Sequence, residues 1–75
     1  MAKLITGGTG YIGAELARIL AGRGEEPILF DVVINRHRIE DIENKVKIVP
    51  GDVGNWPEVL NVVRDNDVTE IYRLG

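Results

Sequence analysis

Residues 6 to 13 read Thr6-Gly7-Gly8-Thr9-Gly10-Tyr11-Ile12-Gly13, and the glycines at 8, 10 and 13 fit the pattern G-x-G-x-x-G. Such spacing serves the binding of a diphosphate. A glycine early in the loop, Gly7 or Gly8, permits a tight turn with positive φ. Gly10 lets the anion approach the main chain with no Cβ in the way, and Gly13 lets a following helix pack closely on the preceding strand. The free N–H groups and positive dipole end of that helix then face the negative charge. Ala14 and Glu15 stand where a Walker-type loop carries Lys-Ser or Lys-Thr, which excludes that kind of ATP cradle.

A second residue fits the same ligand. Asp31 ends an apolar run 21 residues after Gly10, near the separation of about 20 at which a carboxylate accepts hydrogen bonds from the adenosine ribose. A carboxylate there repels a 2′-phosphate and bonds a free 2′-hydroxyl, so NAD is favoured over NADP. Arg36 and Arg38, just downstream, are read as solvated, with a 2′-phosphate contact as the alternative.

The elements that must hold these residues are legible in the apolar pattern. Leu4 and Ile5 before the glycines predict a strand at 2 to 6, and Ile12, Leu16, Ile19 and Leu20 recur at helical spacing from Tyr11 to Gly22. Gly22 or Gly24 ends that helix. Pro27 to Ile34 is nearly all apolar, as in a parallel strand covered on both faces. Residues 35 to 45 are polar, with Ile39 and Ile42 as anchors for a short helix or a loop, and a third strand follows at 46 to 49. Asn55 and Glu58 have capping-box spacing around Pro57, which predicts a helix at 56 to 66 with Val59, Leu60, Val62 and Val63 as its apolar stripe. Val68 to Leu74 is a fourth strand. Alternating strands and helices predict an α/β fold of the partial Rossmann kind. About four parallel strands lie in order 3-2-1-4, with helices on both faces.

Composition sets the outer bounds. The apolar fraction of 44% and charged fraction of 28% over 75 residues describe a single small soluble domain. Nine basic against twelve acidic residues leave a net charge of −3, which offers no long-range attraction for nucleic acid or an anionic membrane. The chain has no cysteine, in keeping with a cytoplasmic location, and no apolar run of the length a signal peptide or a membrane span requires.

The loop with Tyr11-Ile12 inside it resembles the amino-terminal signature of the short-chain dehydrogenase/reductase superfamily, specifically its extended branch of NAD-dependent nucleotide-sugar epimerases and dehydratases. Gly51-Asp52-Val53 is similar to the segment after the family's third strand, and Val68 to Gly75 to its fourth strand, with Arg73 and Gly75 where the family often has His and Ala. The resemblance implies that Gly7, Gly10, Tyr11, Ile12 and Gly13 bind the dinucleotide. It implies that the Asp52 side chain meets the adenine amino group and that Val53 packs on the ring.

The family's proton-transfer machinery is a Tyr-x-x-x-Lys pair. Here Tyr11 is followed four residues on by Glu15, and Tyr72 has three residues after it, so no such pair occurs in these 75 residues. The expectation is one truncated domain over 1 to 75 that binds NAD chiefly through its ADP part and is not catalytic alone. A self-associating fragment without nucleotide, or the first piece of an active epimerase or dehydratase, are the alternatives. A fourth strand left as an edge predicts a homo-oligomer through that strand or the 56 to 66 helix.

Overall fold

The computed structural model describes residues 1–7 and 10–74. In chain order the elements are β1 (Ala2–Thr6), α1 (Tyr11–Gly22), β2 (Glu26–Asp31), a 3-10 segment (Arg36–Lys45), β3 (Lys47–Pro50), α2 (Trp56–Asp65) and β4 (Val68–Arg73). The four strands form one parallel sheet in the order β3-β2-β1-β4, as the pattern predicts. Parallel neighbours require a crossover at every connection, and the helical segments between strands supply it.

The pleat sorts the apolar residues between two cores. Ile5 and Leu29 point to the α1 face, where Ala14, Ala17, Leu20, Ile39 and Ile42 cover them. Leu4, Ile28 and Phe30 point to the other face and pack against Val59 and Val62 of α2. Because β2 lies between β1 and β3 with both faces covered, residues 27 to 30 are all buried.

β3 is shifted by one residue, α2 and β4 each end one residue early, and three further features sharpen or correct the sequence expectation, each for a local reason. β2 stops at Asp31 rather than Ile34, since the Val33 N–H turns back to Asp31 Oδ1 at 3.4 Å. A short carboxylate side chain here competes with the sheet ladder. Val32 and Val33 are therefore 70% and 71% exposed instead of buried. Residues 36 to 45 form two 3-10 turns kinked at Ile39, and the three-residue period puts Ile39 and Ile42 on one buried edge. In α2 the stripe is narrower than predicted: Val59 and Val62 are buried, but Leu60 faces outward.

The capping box at α2 is half formed. Asn55 Oδ1 accepts from the Glu58 N–H at 3.4 Å, whereas the Glu58 carboxylate accepts from the Asp52 N–H at 3.1 Å. Glu58 thereby ties the first turn of α2 to the segment leaving β3. On the far side of the sheet, β4 pairs with β1 alone. A one-residue bulge at Thr69 lets Lys3 reach both Thr69 Oγ1 (3.1 Å) and Glu70 (2.8 Å). That ion pair holds the Glu70 carboxyl below and the Lys3 amine above their ordinary ranges.

Candidate functional site

β1 ends at the buried Thr6, and the chain leaves the sheet at Gly7 with φ +73, a conformation that side chains with a Cβ disfavour. The Gly7 N–H donates to Phe30 O at 2.8 Å, so the loop starts while still fastened to β2. The Gly10 N–H closes the turn on Gly7 O at 3.1 Å, and Gly10 occupies the N-cap of α1 with no side-chain cap. Ala14 makes the first helical hydrogen bond, to Gly10 O at 2.8 Å. The N–H groups of Tyr11, Ile12 and Gly13 thus form the opening turn, whose donors have no acceptor within their own helix. Gly7, Gly10, Tyr11, Ile12 and Gly13 line one open cleft together with Leu74 from the end of β4. Gly8, the first glycine of the spaced triplet, lies outside the described residues, as does Thr9.

A Cβ built on Gly10 would meet Gly7 O at 3.4 Å, an ordinary contact. Packing among the described residues does not demand glycine there. Gly51 is the opposite case. Its Cβ would stand 2.5 Å from Phe30 Cζ and 2.9 Å from Glu58 Oε2, so the fold itself requires the missing side chain.

The remaining predicted residues stand on the same sheet edge, at the carboxyl ends of neighbouring strands. Asp31 is half-buried at the end of β2, next to the Phe30 carbonyl that holds Gly7, and its own carbonyl accepts from the Gly51 N–H at 3.0 Å. Asp52 and Val53 follow β3. The Asp52 side chain shapes its own turn, Oδ1 accepting from the Gly54 N–H at 2.8 Å, and its carbonyl accepts from the Asn55 N–H. Val53 is half-buried against the α2 core and shares a small apolar hollow with Trp56, Val59 and Ile71. Chain order reverses between β1 and β4, the switch point beside which open α/β sheets bind ligands, and the cleft from Gly7 to Leu74 lies there.

Sequence reasoning missed an arrangement of arginines on the α1 face. Arg38 stacks its guanidinium on the Tyr11 ring, 3.9 Å from the centroid, while Arg36 pairs with Glu43 at 2.9 Å. Arg18 fixes the segment that carries both. Its guanidinium grips Asp41 through two hydrogen bonds of 2.8 and 3.0 Å, bonds Glu15 at 2.9 Å and donates to the Arg38 carbonyl oxygen. Arg18 holds the Asp41 carboxyl below its ordinary range, and the two carboxylates push Arg18 upward in turn. Tyr11 and Arg38 are 27 residues apart, and no periodicity or motif links them. His37 is exposed and bonds Glu40 at 2.8 Å. Among the described residues no cluster of His and acidic side chains could hold a metal ion, and no helix is long and apolar enough to cross a membrane.

Known proteins share both sequence and shape with this chain. The sequence profile described as GDP-mannose 4,6 dehydratase matches residues 4–75. Human short-chain dehydrogenase/reductase family 42E member 1 is 34% identical over 72 residues, which is 96% of this chain and 18% of that protein. UDP-glucose 4-epimerase of Lactobacillus helveticus is 30% identical over 75 residues, all of this chain and 22% of the enzyme. The crystal structure of UDP-glucose 4-epimerase from Bifidobacterium longum, in complex with NAD+ and UDP, superposes with a TM-score of 0.87. It is 26% identical, with 100% of this chain and 24% of that one covered. The chain thus spans about a fifth of the length of these two relatives. With the parallel 3-2-1-4 sheet and the glycine loop in place, these matches show that the chain belongs to the GDP-mannose 4,6 dehydratase family, among the epimerases and dehydratases of the short-chain dehydrogenase/reductase superfamily.

Proposed function

We propose that this chain is the nucleotide-binding part of an NAD-dependent epimerase- or dehydratase-like protein and takes NAD chiefly through the ADP half. The observation that carries this reading is the turn in which Gly7 is fastened to Phe30 O and Gly10 caps α1 with main chain alone. It leaves the first-turn N–H groups of Tyr11, Ile12 and Gly13 facing an open cleft at the switch point. Asp31, one residue beyond Phe30, receives the ribose hydroxyls and favours NAD over NADP. Asp52 and Val53 serve the adenine.

When bound, the nicotinamide supplies hydride transfer. The residues of this chain bind and orient the cofactor. They include no Tyr-x-x-x-Lys pair to exchange a proton with a substrate, so turnover of a nucleotide sugar belongs to a longer protein. Calorimetric titration with NAD, ADP-ribose and NADP tests the reading. Heat with the first two and a weaker response to NADP is expected; no heat with any of them at millimolar ligand removes it.

A second property rests on its own observation. Trp56, Leu60 and Ile71 are 60%, 59% and 51% exposed, all on the α2 side of the sheet, and β4 is a sheet edge. Unpaired strand edges and contiguous apolar surface favour association, and we propose that copies of this chain associate through β4 and α2.

A further inference from the structure

We propose that Glu58 is a positioning residue for base selectivity: by accepting from the Asp52 N–H it fixes the Asp52 carboxylate that meets the 6-amino group of adenine. Glu58 acts here through the Asp52 contact proposed above, and the inference rests on that reading.

Three hydrogen bonds hold Asp52. Its N–H donates to Glu58 Oε2 at 3.1 Å, its carbonyl accepts from the Asn55 N–H at 2.9 Å, and its Oδ1 accepts from the Gly54 N–H at 2.8 Å. The last two lie within residues 52 to 55 and move with that exposed turn; the first reaches α2. Glu58 is thus the tie between the turn and a helix anchored on the sheet by Val59 and Val62. Among the described residues Asp52 Oδ2 takes no hydrogen bond, which leaves it as an acceptor for a ligand amine.

The tie departs from the usual form of its motif. In a capping box the carboxylate of the third helical residue reaches back to the N–H of the cap residue. Here the Asn55 N–H is taken by Asp52 O, and Glu58 passes it to bond a residue three positions earlier. The carboxylate lies against Gly51, where a Cβ would stand 2.9 Å from Oε2, so it fills space that a side chain at 51 would need. The Gly51 N–H in turn donates to Asp31 O at 3.0 Å. The segment entering the turn is therefore fastened to β2 on one side and to α2 on the other, with Glu58 supplying the second hold.

Purine riboside 5′-diphosphate is ADP without the 6-amino group, so the ratio of the two affinities reads the Asp52 contact with ribose and diphosphate held in common. Wild type, Glu58→Gln, Glu58→Asp and Asp52→Ala are titrated with both nucleotides, following amide shifts by NMR. Wild type is expected to favour ADP about tenfold, the size of one hydrogen bond to a charged acceptor, and Asp52→Ala to favour neither. Glu58→Asp keeps a carboxylate in the first turn of α2 but falls one methylene short of the Asp52 N–H, and its ratio drops to about threefold or less. Glu58→Gln keeps an acceptor oxygen at full reach and retains the wild-type ratio. In an Asp52→Ala background Glu58→Asp leaves the ratio where it is, because the effect passes through Asp52.

A Glu58→Asp ratio equal to that of wild type overturns the proposal while leaving the adenine contact intact, and so does an equal loss of affinity for both nucleotides. A ratio lost in Glu58→Gln as well assigns the effect to the charge in the first turn of α2 and overturns it too. Wild type that binds both nucleotides equally removes the Asp52 reading, and wild type that binds neither removes the nucleotide site; the proposal falls with either. Should Glu58→Asp fail to fold, Glu58→Met, which keeps the length of the side chain without the carboxylate, decides: a lowered ratio supports the tie, and an unchanged ratio overturns it.

Discussion

Gly51 faces the edge of the Phe30 ring so closely that a Cβ on it would stand 2.5 Å from Cζ and 2.6 Å from Cε2. Phe30 is 1% exposed and anchors the α2-side core, so the ring has little room to move aside. Gly51→Ala should therefore destabilise the fold by about 1–3 kcal/mol, the usual cost of overpacking. Against a total of about 4–11 kcal/mol for a chain of this size, that loss is large. Urea denaturation checks it: an unchanged midpoint would show that the ring yields freely.

Gly10 should behave in the opposite way. Its backbone is extended (φ −71, ψ 174) and its neighbours leave room for a Cβ, so Gly10→Val is expected to keep the wild-type melting temperature within a few degrees. The same substitution fills the approach to the first-turn N–H groups and should reduce ADP affinity at least tenfold. Titration beside a thermal melt separates the two effects; retained affinity would mean that the anion does not sit there.

The Arg18–Asp41 pair gives a dependence on pH with a definite sign. Asp41 has its folded pKa held down by Arg18, so its contribution is fully present above the unfolded carboxylate value of about 3.9. It is lost as pH falls through the lower folded value. Asp41→Asn should lower the melting temperature near neutrality, and the difference from wild type should vanish in strong acid. A difference that stayed constant down to pH 2 would mean that the side chain acts by shape and not by charge.

Self-association should depend on the exposed apolar residues of one face. Replacing Leu60 or Ile71 by Lys puts a charge on that surface without touching the buried Val59 and Val62. Sedimentation over a hundredfold range of concentration should show wild type shifting to larger species and both variants remaining monomeric. Wild type that stays monomeric throughout would end that idea.

Much of this protein could be read from one dimension. The glycines at 7, 10 and 13, the apolar run up to Asp31 and the alternation of strand and helix patterns determine the sheet order. They also bring Gly7, Asp31 and Asp52 to the same end of the sheet, because parallel strands joined by crossovers share one carboxyl edge. Periodicity is a local property, and a local signal suffices where a strand or helix buries a face along its length. It was insufficient after Asp31, whose Oδ1 captures the Val33 N–H and ends the strand despite the three β-branched residues Val32, Val33 and Ile34.

What only the tertiary structure decided involves residues far apart in the chain. That Gly51 is required by Phe30 while Gly10 is spare follows from packing between β2 and the turn after β3. That Arg38 lies on Tyr11 and Arg36 does not follows from the kink at Ile39 and the grip of Arg18 on Asp41. Two arginines separated by a single residue look alike in the sequence. The three-dimensional path of a 3-10 segment turns one toward Glu43 and the other onto Tyr11, the first residue of α1, because the direction of a side chain depends on the backbone that carries it.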